Sequence, residues 1–293
     1  MQKLKLSTSP QRQKRILAVH DISCVGRCSL TVALPVLSAM GFETSILPTS
    51  ILSTHTGGFE GYTYRDLSMD MNPVVDHWHA LGLEFDAIFT GWLGTHRHVG
   101  NLAHLLDAVG AGAALMVDPV MGDNGRLYAT LDADYVSAMR QYCARAQMLL
   151  PNITEAALLT GADYPCPGYN RAWVADMLRR LTDMGPQAAV LTGISLAPGR
   201  IGAAALDRRE ERFIYCDDAF IPGMWHGAGD VFASALVGAH LNGTSLDEAL
   251  RLAVRFTARC IRRTRDAGTD ERLGLQFEGE LINLIDRAQP LES

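Results

Sequence analysis

Apolar residues occur along the chain in short runs, separated by longer segments in which they recur every three to four positions. Short runs are typical of buried strands, and the longer spacing is typical of helices with one buried face. The predicted strands are RILAVHD, FETSILPTS, FDAIFTGW, AALMVDPV, QMLLPN and AAVLTG. The predicted helices are CSLTVALPVLSAMG, VGNLAHLLDAVGA, LDADYVSAMRQYCARA, a segment from Thr154, and NRAWVADMLRRLTDMG. This alternation predicts an α/β fold, in which a mostly parallel central sheet carries helices on both faces.

The pattern changes after Gly199. Two apolar runs, RIGAAALD and ERFIYCDD, flank the polar segment RREE, which predicts an antiparallel hairpin at the edge of the sheet. Beyond it we expect a helix that begins near Gly229 or Asp230, and then the helices SLDEALRLAVRFTARCIRRTR and LQFEGELINLIDRA. Because no repeat or linker is evident, residues 15–293 are expected to form a single domain.

Composition and charge exclude several classes of partner. The 293 residues carry a net charge of −6, so the chain lacks the basic field that binds nucleic acid or an acidic membrane. No apolar run has the length of a membrane span. Residues 1–14 are polar and basic and lack the apolar core of a secretory signal, which predicts a disordered leader. We therefore expect no nucleic-acid partner and no membrane partner.

The cysteines and paired histidines do not indicate a metal site. None of the six cysteines forms a C-x-x-C pair, so we expect reduced, buried thiols in a cytoplasmic protein. Two H-x-H pairs lack an evident third ligand, which favours exposed or hydrogen-bonded histidines over zinc ligands. These pairs are His77 with His79, and His96 with His98.

One short stretch, MWHGAGDVFASALVGAH, suggests an anion site. Gly227, Ala228 and Gly229 have little or no side chain, and they precede Asp230 at the mouth of an apolar helix. The first backbone N–H groups of a helix have no intrahelical partner, and an anion such as phosphate can approach them closely. An ordinary helix cap would have a similar sequence, because Asp is a favoured N-cap and Gly suits a sharp entry turn.

Polar or small residues follow the other predicted strands, and ligands bind beyond the carboxyl ends of the strands in sheets of this kind. The residues concerned are Asp21, Gly26, the segment STHTGG from Ser53 to Gly58, Gly91, Trp92, Asp118, Asp123, Asn152, Glu155, Thr192 and Gly193. Each has a structural alternative. Asp118 and Asp123 could belong to turns, Asn152 and Glu155 could cap a helix, and Trp92 could be core.

The carboxylates indicate phosphoryl transfer. Asp118, Asp123 and Glu155, with Asn152, suit a hydrated Mg²⁺ and the phosphates attached to it. A metal site next to a bare helix start is typical of a phosphotransferase, in which catalysis is mostly positioning and charge stabilisation. The sequence contains no Walker motif and no protein-kinase signature, which excludes those two kinase classes.

Four segments carry a resemblance to a known family. In chain order these are STHTGG, VDPVMGDNG, LLPNITEAALLTG and GAGD. They are similar to segments of the pyridoxal/pyridoxamine (vitamin B6) kinases of the ribokinase-like superfamily, in which the segments follow the same order. The likeness covers most of the chain from Arg15 onward. It implies a three-layer ribokinase-like fold, a homodimer, and ATP-dependent phosphorylation of the 5'-hydroxymethyl group of pyridoxal, pyridoxamine or pyridoxine with Mg²⁺.

The resemblance also implies roles for single residues. Asp230 matches the catalytic base, and Gly227, Ala228 and Gly229 match the anion hole. The segment MGDNGRLYATLD matches a mobile flap over the nucleotide. The other roles are substrate binding by Asp21, Thr56 and Trp92, ATP binding by Asp118, Asn152 and Thr192, and metal binding by Asp118, Asp123 and Glu155.

Two departures and several alternatives qualify the resemblance. The family often has Ser where Asp21 stands, which leaves the preferred vitamer open. It often has Thr where Leu150 stands, which weakens the case for the family's monovalent-cation (K⁺) site.

Hydroxymethylpyrimidine kinases often have Cys in place of Asp230. A sugar kinase fits STHTGG poorly, and a catalytically silent B6-binding regulatory protein would not need this set of acidic residues.

Overall fold

The computed structural model describes residue 3 and residues 12–166 and 168–288. It confirms the alternation of strands and helices. The strands are β1 (Arg15–Val25), β2 (Glu43–Thr54), β3 (Tyr64–Asp66), β4 (Ala87–Thr90), β5 (Ala114–Val117), β6 (Gly122–Asp123), β7 (Arg126–Leu127), β8 (Met148–Leu149), β9 (Ala188–Ile194), β10 (Arg200–Asp207) and β11 (Arg212–Ala219). The helices are α1 (Leu30–Ala39), α2 (Ser68–Leu81), α3 (His96–Val109), α4 (Ala133–Cys143), α5 (Ile153–Thr160), α6 (Arg171–Asp183), α7 (Ala228–Leu241), α8 (Leu246–Asp266) and α9 (Ile282–Ala288).

The central sheet has the order β11-β10-β9-β8-β5-β4-β1-β2-β3. The strands from β9 through β2 pair in parallel, whereas β10 and β11 form the predicted antiparallel hairpin at one edge, and β3 is antiparallel to β2 at the other. A separate two-stranded sheet consists of β6 and β7. The predicted mostly parallel sheet with an edge hairpin is therefore confirmed.

Helices cover both faces of the sheet. Along β1, Ile16 and Ala18 belong to a core shared with α1, α7 and α8, whereas Leu17 and Val19 belong to a core shared with α2 through α6. This alternation follows from the two-residue period of a strand. The result is the three-layer arrangement that the apolar pattern predicted.

Several elements differ from the prediction. The long helix expected over LQFEGELINLIDRA is wrong, because the segment forms a 3-10 turn, Glu278–Glu280, and then the short α9. Glycine has low helix propensity. In addition, a Cβ at Gly279 would lie 2.6 Å from the Arg263 guanidinium, because the chain passes close to α8 at this point. Elements β3, α2 and the β6–β7 hairpin had no counterpart in the prediction.

The leader and the cysteines need similar revision. Of the predicted leader, residues 1–2 and 4–11 lie outside the described residues. Arg12 at the end of the leader forms an ion pair with Asp86 at 2.6 Å, so this part contacts the domain. Three of the free cysteines are buried, but Cys24 and Cys166 are exposed, because one lies near the end of β1 and the other in a loop.

The paired histidines lie in α2 and α3, and three of them are hydrogen-bonded. His79 contacts the Ala108 carbonyl, His96 contacts Asp132, and His98 contacts Asp66. Within the described ranges, no group of three or more His, Cys, Asp or Glu side chains is placed to hold a metal ion. None of the helices described combines the length and apolar character needed to cross a bilayer.

Helix α7 begins one residue earlier than expected, and its start depends on glycine. Gly227 is the N-cap, with a φ of 73°, and no side chain caps the helix. A Cβ at Gly227 would lie 2.1 Å from the carbonyl oxygen of Arg27. A Cβ at Gly229 would meet no other atom within 4 Å. Gly227 therefore sets the backbone, whereas Gly229 faces open space.

We expect Gly227→Ala and Gly229→Ala to differ in stability. The left-handed backbone costs Ala about 1–2 kcal/mol, and the overlap with the Arg27 carbonyl adds to this cost. Ala at position 229 favours the helix by about 0.5–1 kcal/mol over Gly. Urea unfolding followed by circular dichroism should show a lower free energy of unfolding for Gly227→Ala alone. Equal stabilities would contradict the role given to Gly227.

Candidate active site

A cavity of about 410 Å³ opens at the carboxyl ends of the parallel strands, beside the start of α7. It is lined by all the residues to which the resemblance assigns a role: Asp21, Thr56, Trp92, Asp118, Asp123, Asn152, Glu155, Thr192, Gly227, Ala228, Gly229 and Asp230. Gly26, Gly91 and Gly193, which the sequence also placed after strands, are not among the described residues that line it. Because parallel strands end at the same edge of a sheet, segments far apart in sequence meet here. The structure brings the residues with assigned roles together, while their individual roles stay predictions.

Asp230 is the third residue of α7, and its carboxylate faces the loop that follows β1. Its Oδ2 accepts a hydrogen bond from the Cys28 thiol at 3.3 Å. Burial raises the pKa of Asp230, and hydrogen bonding from the Ser29 backbone and the Cys28 thiol opposes this rise. A carboxylate with a raised pKa is a stronger base, which suits a group that receives a proton.

Asp21 lies within β1 rather than after it, because the strand runs on to Val25. The register of β1 against β2 shifts between His20 and Ile22, and such irregularities redirect a side chain. The carboxylate is only 4% exposed and accepts a hydrogen bond from the Ser23 hydroxyl at 3.2 Å. Burial raises the pKa of Asp21 to about 6, and the charge of Asp230 adds to this effect.

Asn152 and Glu155 form a reciprocal cap at the start of α5. The Asn152 side chain accepts a hydrogen bond from the Glu155 N–H at 2.9 Å, and Glu155 Oε2 accepts one from the Asn152 N–H at 2.8 Å. Glu155 Oε1 also accepts a hydrogen bond from the Met121 N–H at 3.1 Å. The structural alternative therefore holds for this pair, and it fixes the segment after β5 against α5.

Three acidic groups share this end of the cavity. Asp118 is 8% exposed, and burial raises its pKa well above the usual range, with the charges of Glu155 and Asp230 adding to the effect. Burial also raises the pKa of Glu155 to about 8. Asp123, in contrast, is exposed at the β6–β7 hairpin, where its carboxylate accepts a hydrogen bond from the Asn124 N–H at 2.9 Å. The two buried carboxyl groups thus differ from Asp123 in their environment.

The predicted flap contains the β6–β7 hairpin. Asn124 and Gly125 form its turn with φ values of 51° and 75°, as an Asn-Gly hairpin turn requires. The Gly125 N–H donates to the Thr154 hydroxyl at 2.9 Å, which holds the hairpin over the start of α5. This placement at the mouth of the cavity agrees with a flap, and its mobility stays a prediction.

The cavity also includes residues that the sequence interpretation missed. They are Cys28, Ser29, Leu52, Val120, Trp225, His226 and Ala233. His55, Gly57, Tyr128 and Leu150 also line the cavity; they lie in segments or at positions that the sequence singled out, but none of them was given a role of its own. His55 accepts a hydrogen bond from the Gly57 N–H and, through its other nitrogen, contacts the Arg272 carbonyl at 2.6 Å. The two contacts define a neutral tautomer, because a carbonyl can only accept. In the sequence, the position of His226 directly before Gly227 indicated that it could lie near the anion site.

A second cavity of about 260 Å³ adjoins the first. The two share Thr192, Trp225, Ala228 and Gly229, so they meet at the start of α7. The walls of the second cavity are mostly apolar and come from the β10–β11 hairpin, the loop after it, α7 and α8, including Ile201, Ile221, Phe232 and Val254. The first cavity is therefore lined by polar and acidic residues, and the adjoining second cavity is mostly apolar.

Five carboxylates line the first cavity, from Asp21, Asp118, Asp123, Glu155 and Asp230. None of the described residues that line it is a Lys or an Arg. A ligand that carries several phosphates would therefore meet acidic side chains and no cationic Lys or Arg among the described lining residues. A divalent cation bound with the phosphates is the simplest way to balance this charge.

Comparison with known proteins agrees with this geometry. Residues 36–273 match the family model for phosphomethylpyrimidine kinase. The pyridoxine/pyridoxal/pyridoxamine kinase of Bordetella avium is 28% identical, and the match covers 88% of each chain. The pyridoxal kinase PdxY of Granulibacter bethesdensis is 25% identical over 91% of this chain and 96% of its own length.

Two solved structures are more similar still. A Bacteroides thetaiotaomicron protein assigned as a phosphomethylpyrimidine kinase and crystallised with pyridoxal has 35% identity and a TM-score of 0.88, over 96% of this chain and 98% of its own. The pyridoxal kinase of Lactobacillus plantarum has 35% identity and a TM-score of 0.85, over 93% of this chain and 97% of its own. The chain belongs to the phosphomethylpyrimidine kinase family, within the ribokinase-like superfamily that includes the vitamin B6 kinases.

Proposed function

We propose that this protein transfers the γ-phosphoryl group of ATP to the 5'-hydroxymethyl group of pyridoxal, pyridoxamine or pyridoxine. The observation that carries the proposal is the position of the Asp230 carboxylate next to Gly229, at a helix start that no side chain caps, in the same cavity. The Ala228 N–H donates to the Trp225 carbonyl at 3.2 Å, so the amide of Gly229 is the better candidate for the anion site. A base and an anion site at this spacing can hold an attacking hydroxyl next to a phosphoryl group. The names of the relatives, and the pyridoxal bound by one of them, support a B6 vitamer as the acceptor.

Asp230 would act mainly by orienting the hydroxyl group. A primary alcohol is a weak acid, so the proton moves late, as the oxygen bonds to phosphorus. The raised pKa of Asp230 makes the carboxylate a better final acceptor of that proton. The N–H groups at the start of α7 would stabilise the charge that develops on the transferring phosphoryl group.

Asp118 and Asp123 would serve a magnesium ion that accompanies ATP. The acidic cavity, with no cationic side chain among its described lining residues, supports this inference. Mg²⁺ keeps several waters and takes few protein ligands, so one or two carboxylates are sufficient. Glu155 is better placed to fix the loop after β5, because both of its oxygens accept backbone hydrogen bonds. Leu150 offers no side-chain oxygen, so any K⁺ bound near it would need backbone oxygens.

The apolar second cavity would receive the adenine ring, and Thr192 and Asn152 would lie along the phosphates. Asp21, Thr56 and Trp92 also line the first cavity, and the vitamer ring would lie against them. We also infer a homodimer and a cytoplasmic location. The exposed apolar side chains near the β2–β3 edge, Val25, Ile51 and Tyr64, support a subunit contact. The free cysteines support a reducing compartment.

Hydroxymethylpyrimidine kinase is the second candidate, because the chain matches the family model for phosphomethylpyrimidine kinase, and that family also covers hydroxymethylpyrimidine kinases. An assay of ATP consumption with pyridoxal, pyridoxamine, pyridoxine and hydroxymethylpyrimidine separates the two. We expect turnover with the B6 vitamers to exceed turnover with the pyrimidine.

Asp230→Asn should lower turnover by roughly 10²–10⁴-fold, the usual scale for a general base, while thermal unfolding and vitamer binding change little.

A suitable control for this assay is Asp134→Asn, which changes an exposed carboxylate in the first turn of α4. It should match the wild type in turnover. Preference for the pyrimidine, or near wild-type turnover in Asp230→Asn, would contradict the proposal. ATP consumption with none of the four acceptors would favour the regulatory alternative.

The proposed metal role predicts that Asp118→Asn and Asp123→Asn raise the Mg²⁺ concentration needed for half-maximal rate. Each substitution removes one negative charge that attracts the ion, while binding of the vitamer alone, measured by calorimetry, should change little. Asp163→Asn, an exposed carboxylate outside the cavity, is the control. A Mg²⁺ titration of Asp123→Asn that overlays the wild type would show that Asp123 is only a turn residue.

The buried charge of Asp21 predicts a preference for pyridoxamine. Hydrogen bonds to charged groups contribute about 1.5–3 kcal/mol, so a carboxylate here favours a cationic vitamer over a neutral one. Asp21→Ser should lower the ratio of kcat/KM for pyridoxamine over pyridoxal by roughly tenfold at pH 7.5. Because the pKa of Asp21 is about 6, the carboxyl group loses its charge below that pH, and the wild-type preference should weaken there.

The vitamer comparison must use one enzyme preparation at each pH, because the amine and the ring nitrogen also titrate. Equal losses of kcat/KM for both vitamers would make Asp21 a structural residue. A shift of the ratio toward pyridoxamine in Asp21→Ser would refute the charge argument.

A further inference from the structure

Cys28 contacts the Asp230 carboxylate from the far end of the sequence. Its Sγ lies 3.3 Å from Asp230 Oδ2, across a separation of 202 residues. The thiol is partly buried and lines the first cavity, whereas Cys24, four positions earlier, is exposed and does not line it. The thiol therefore holds one oxygen of the Asp230 carboxylate, and the Ser29 backbone is a second donor to the same group.

The loop that carries Cys28 is fixed by its own hydrogen bonds. The Thr31 hydroxyl accepts from the Cys28 N–H at 3.1 Å and lies 2.8 Å from the Cys28 carbonyl, to which it donates. The N–H of Arg27 donates to the Leu273 carbonyl at 2.9 Å. Ser29, which is not a glycine, has a φ of 54°, a strained backbone that persists only where surrounding contacts hold it. This loop therefore presents the thiol in a defined position.

Two neighbouring groups donate to Asp230, the Ser29 backbone and the Cys28 thiol, and Cys28 is the one that donates through its side chain. Asp21 on β1 and Asp118 after β5 are acidic, and His55 after β2 is the neutral tautomer described above. Burial, together with the charges of Asp230 and Asp21, raises the pKa of the Cys28 thiol well above its usual range. A thiol in this environment stays protonated, so it donates a hydrogen bond and does not act as a nucleophile.

We propose that Cys28 is a positioning residue, whose thiol holds Asp230 Oδ2 so that Oδ1 is aimed at the hydroxyl group of the acceptor. The inference rests on the proposed kinase function, in which Asp230 orients that hydroxyl. The thiol makes no contact with the transferring group and forms no covalent bond. Its effect on the reaction passes through Asp230 alone.

The kinetic test compares Cys28→Ala and Cys28→Val, which lack the donor, with Cys28→Ser, which keeps one. In the first two variants kcat should fall while the vitamer KM changes little. The acid limb of the kcat/KM profile should move to higher pH by about half a unit to one unit. At pH values below the pKa of Asp230, kcat/KM should therefore fall by about three- to tenfold. Cys28→Ser should restore most of both quantities. Cys24→Ser, a change of an exposed thiol in the same region, is the matched control and should equal the wild type.

A second readout does not depend on activity. In protein labelled with ¹³C at the aspartate carboxyl groups, the Asp230 signal can be assigned by its loss in Asp230→Asn. Its pKa should rise in Cys28→Ala and Cys28→Val and remain near the wild-type value in Cys28→Ser. If the protein phosphorylates no B6 vitamer, the proposed function fails, and this titration still decides the hydrogen bond. The inference is overturned if the variants without a donor titrate as the wild type does, or if Cys28→Ser is as impaired as Cys28→Ala.

Discussion

The start of α7 meets the loop after β1 at a distance that only glycine allows. A Cβ at Gly227 would overlap the Arg27 carbonyl oxygen, and so would a Cβ at Gly274, at 2.1 Å and 2.4 Å respectively. One carbonyl group is thus enclosed by two glycines from two later parts of the chain. This contact brings Asp230 to Cys28 and turns the first amides of α7 toward the cavity. A side chain at either glycine would separate these elements.

Charge is the second constraint on the site. Asp21, Asp118 and Glu155 are buried within or beside one cavity, and burial raises the pKa of each. Like charges in a poorly solvated site repel, and bringing them together costs free energy without a counterion. In the proposed reaction the cation that accompanies ATP would offset part of this repulsion. The same acidity explains why the phosphates would be held by backbone amides and a metal rather than by Lys or Arg side chains.

The parallel sheet, the edge hairpin and the membership of the cavity could be predicted from sequence, because they follow from local periodicity and from where parallel strands end. Other features depend on contacts between distant segments. The irregular register that redirects Asp21 and the contact between Cys28 and Asp230 have no local signal. Helix α2 was missed because Pro73 lies inside it and few of its residues are buried. The last predicted helix failed at Gly279, where packing against α8 overrides the apolar pattern.

The most direct test of the account is a crystal structure with a B6 vitamer, Mg²⁺ and a non-hydrolysable ATP analogue bound. The account predicts that the 5'-oxygen of the vitamer lies within hydrogen-bond distance of Asp230, about 2.6–3.2 Å, and that the γ-phosphate faces the amide of Gly229 at the start of α7. A complex in which the 5'-oxygen points away from Asp230, or in which the phosphates lie away from the start of α7, would contradict it.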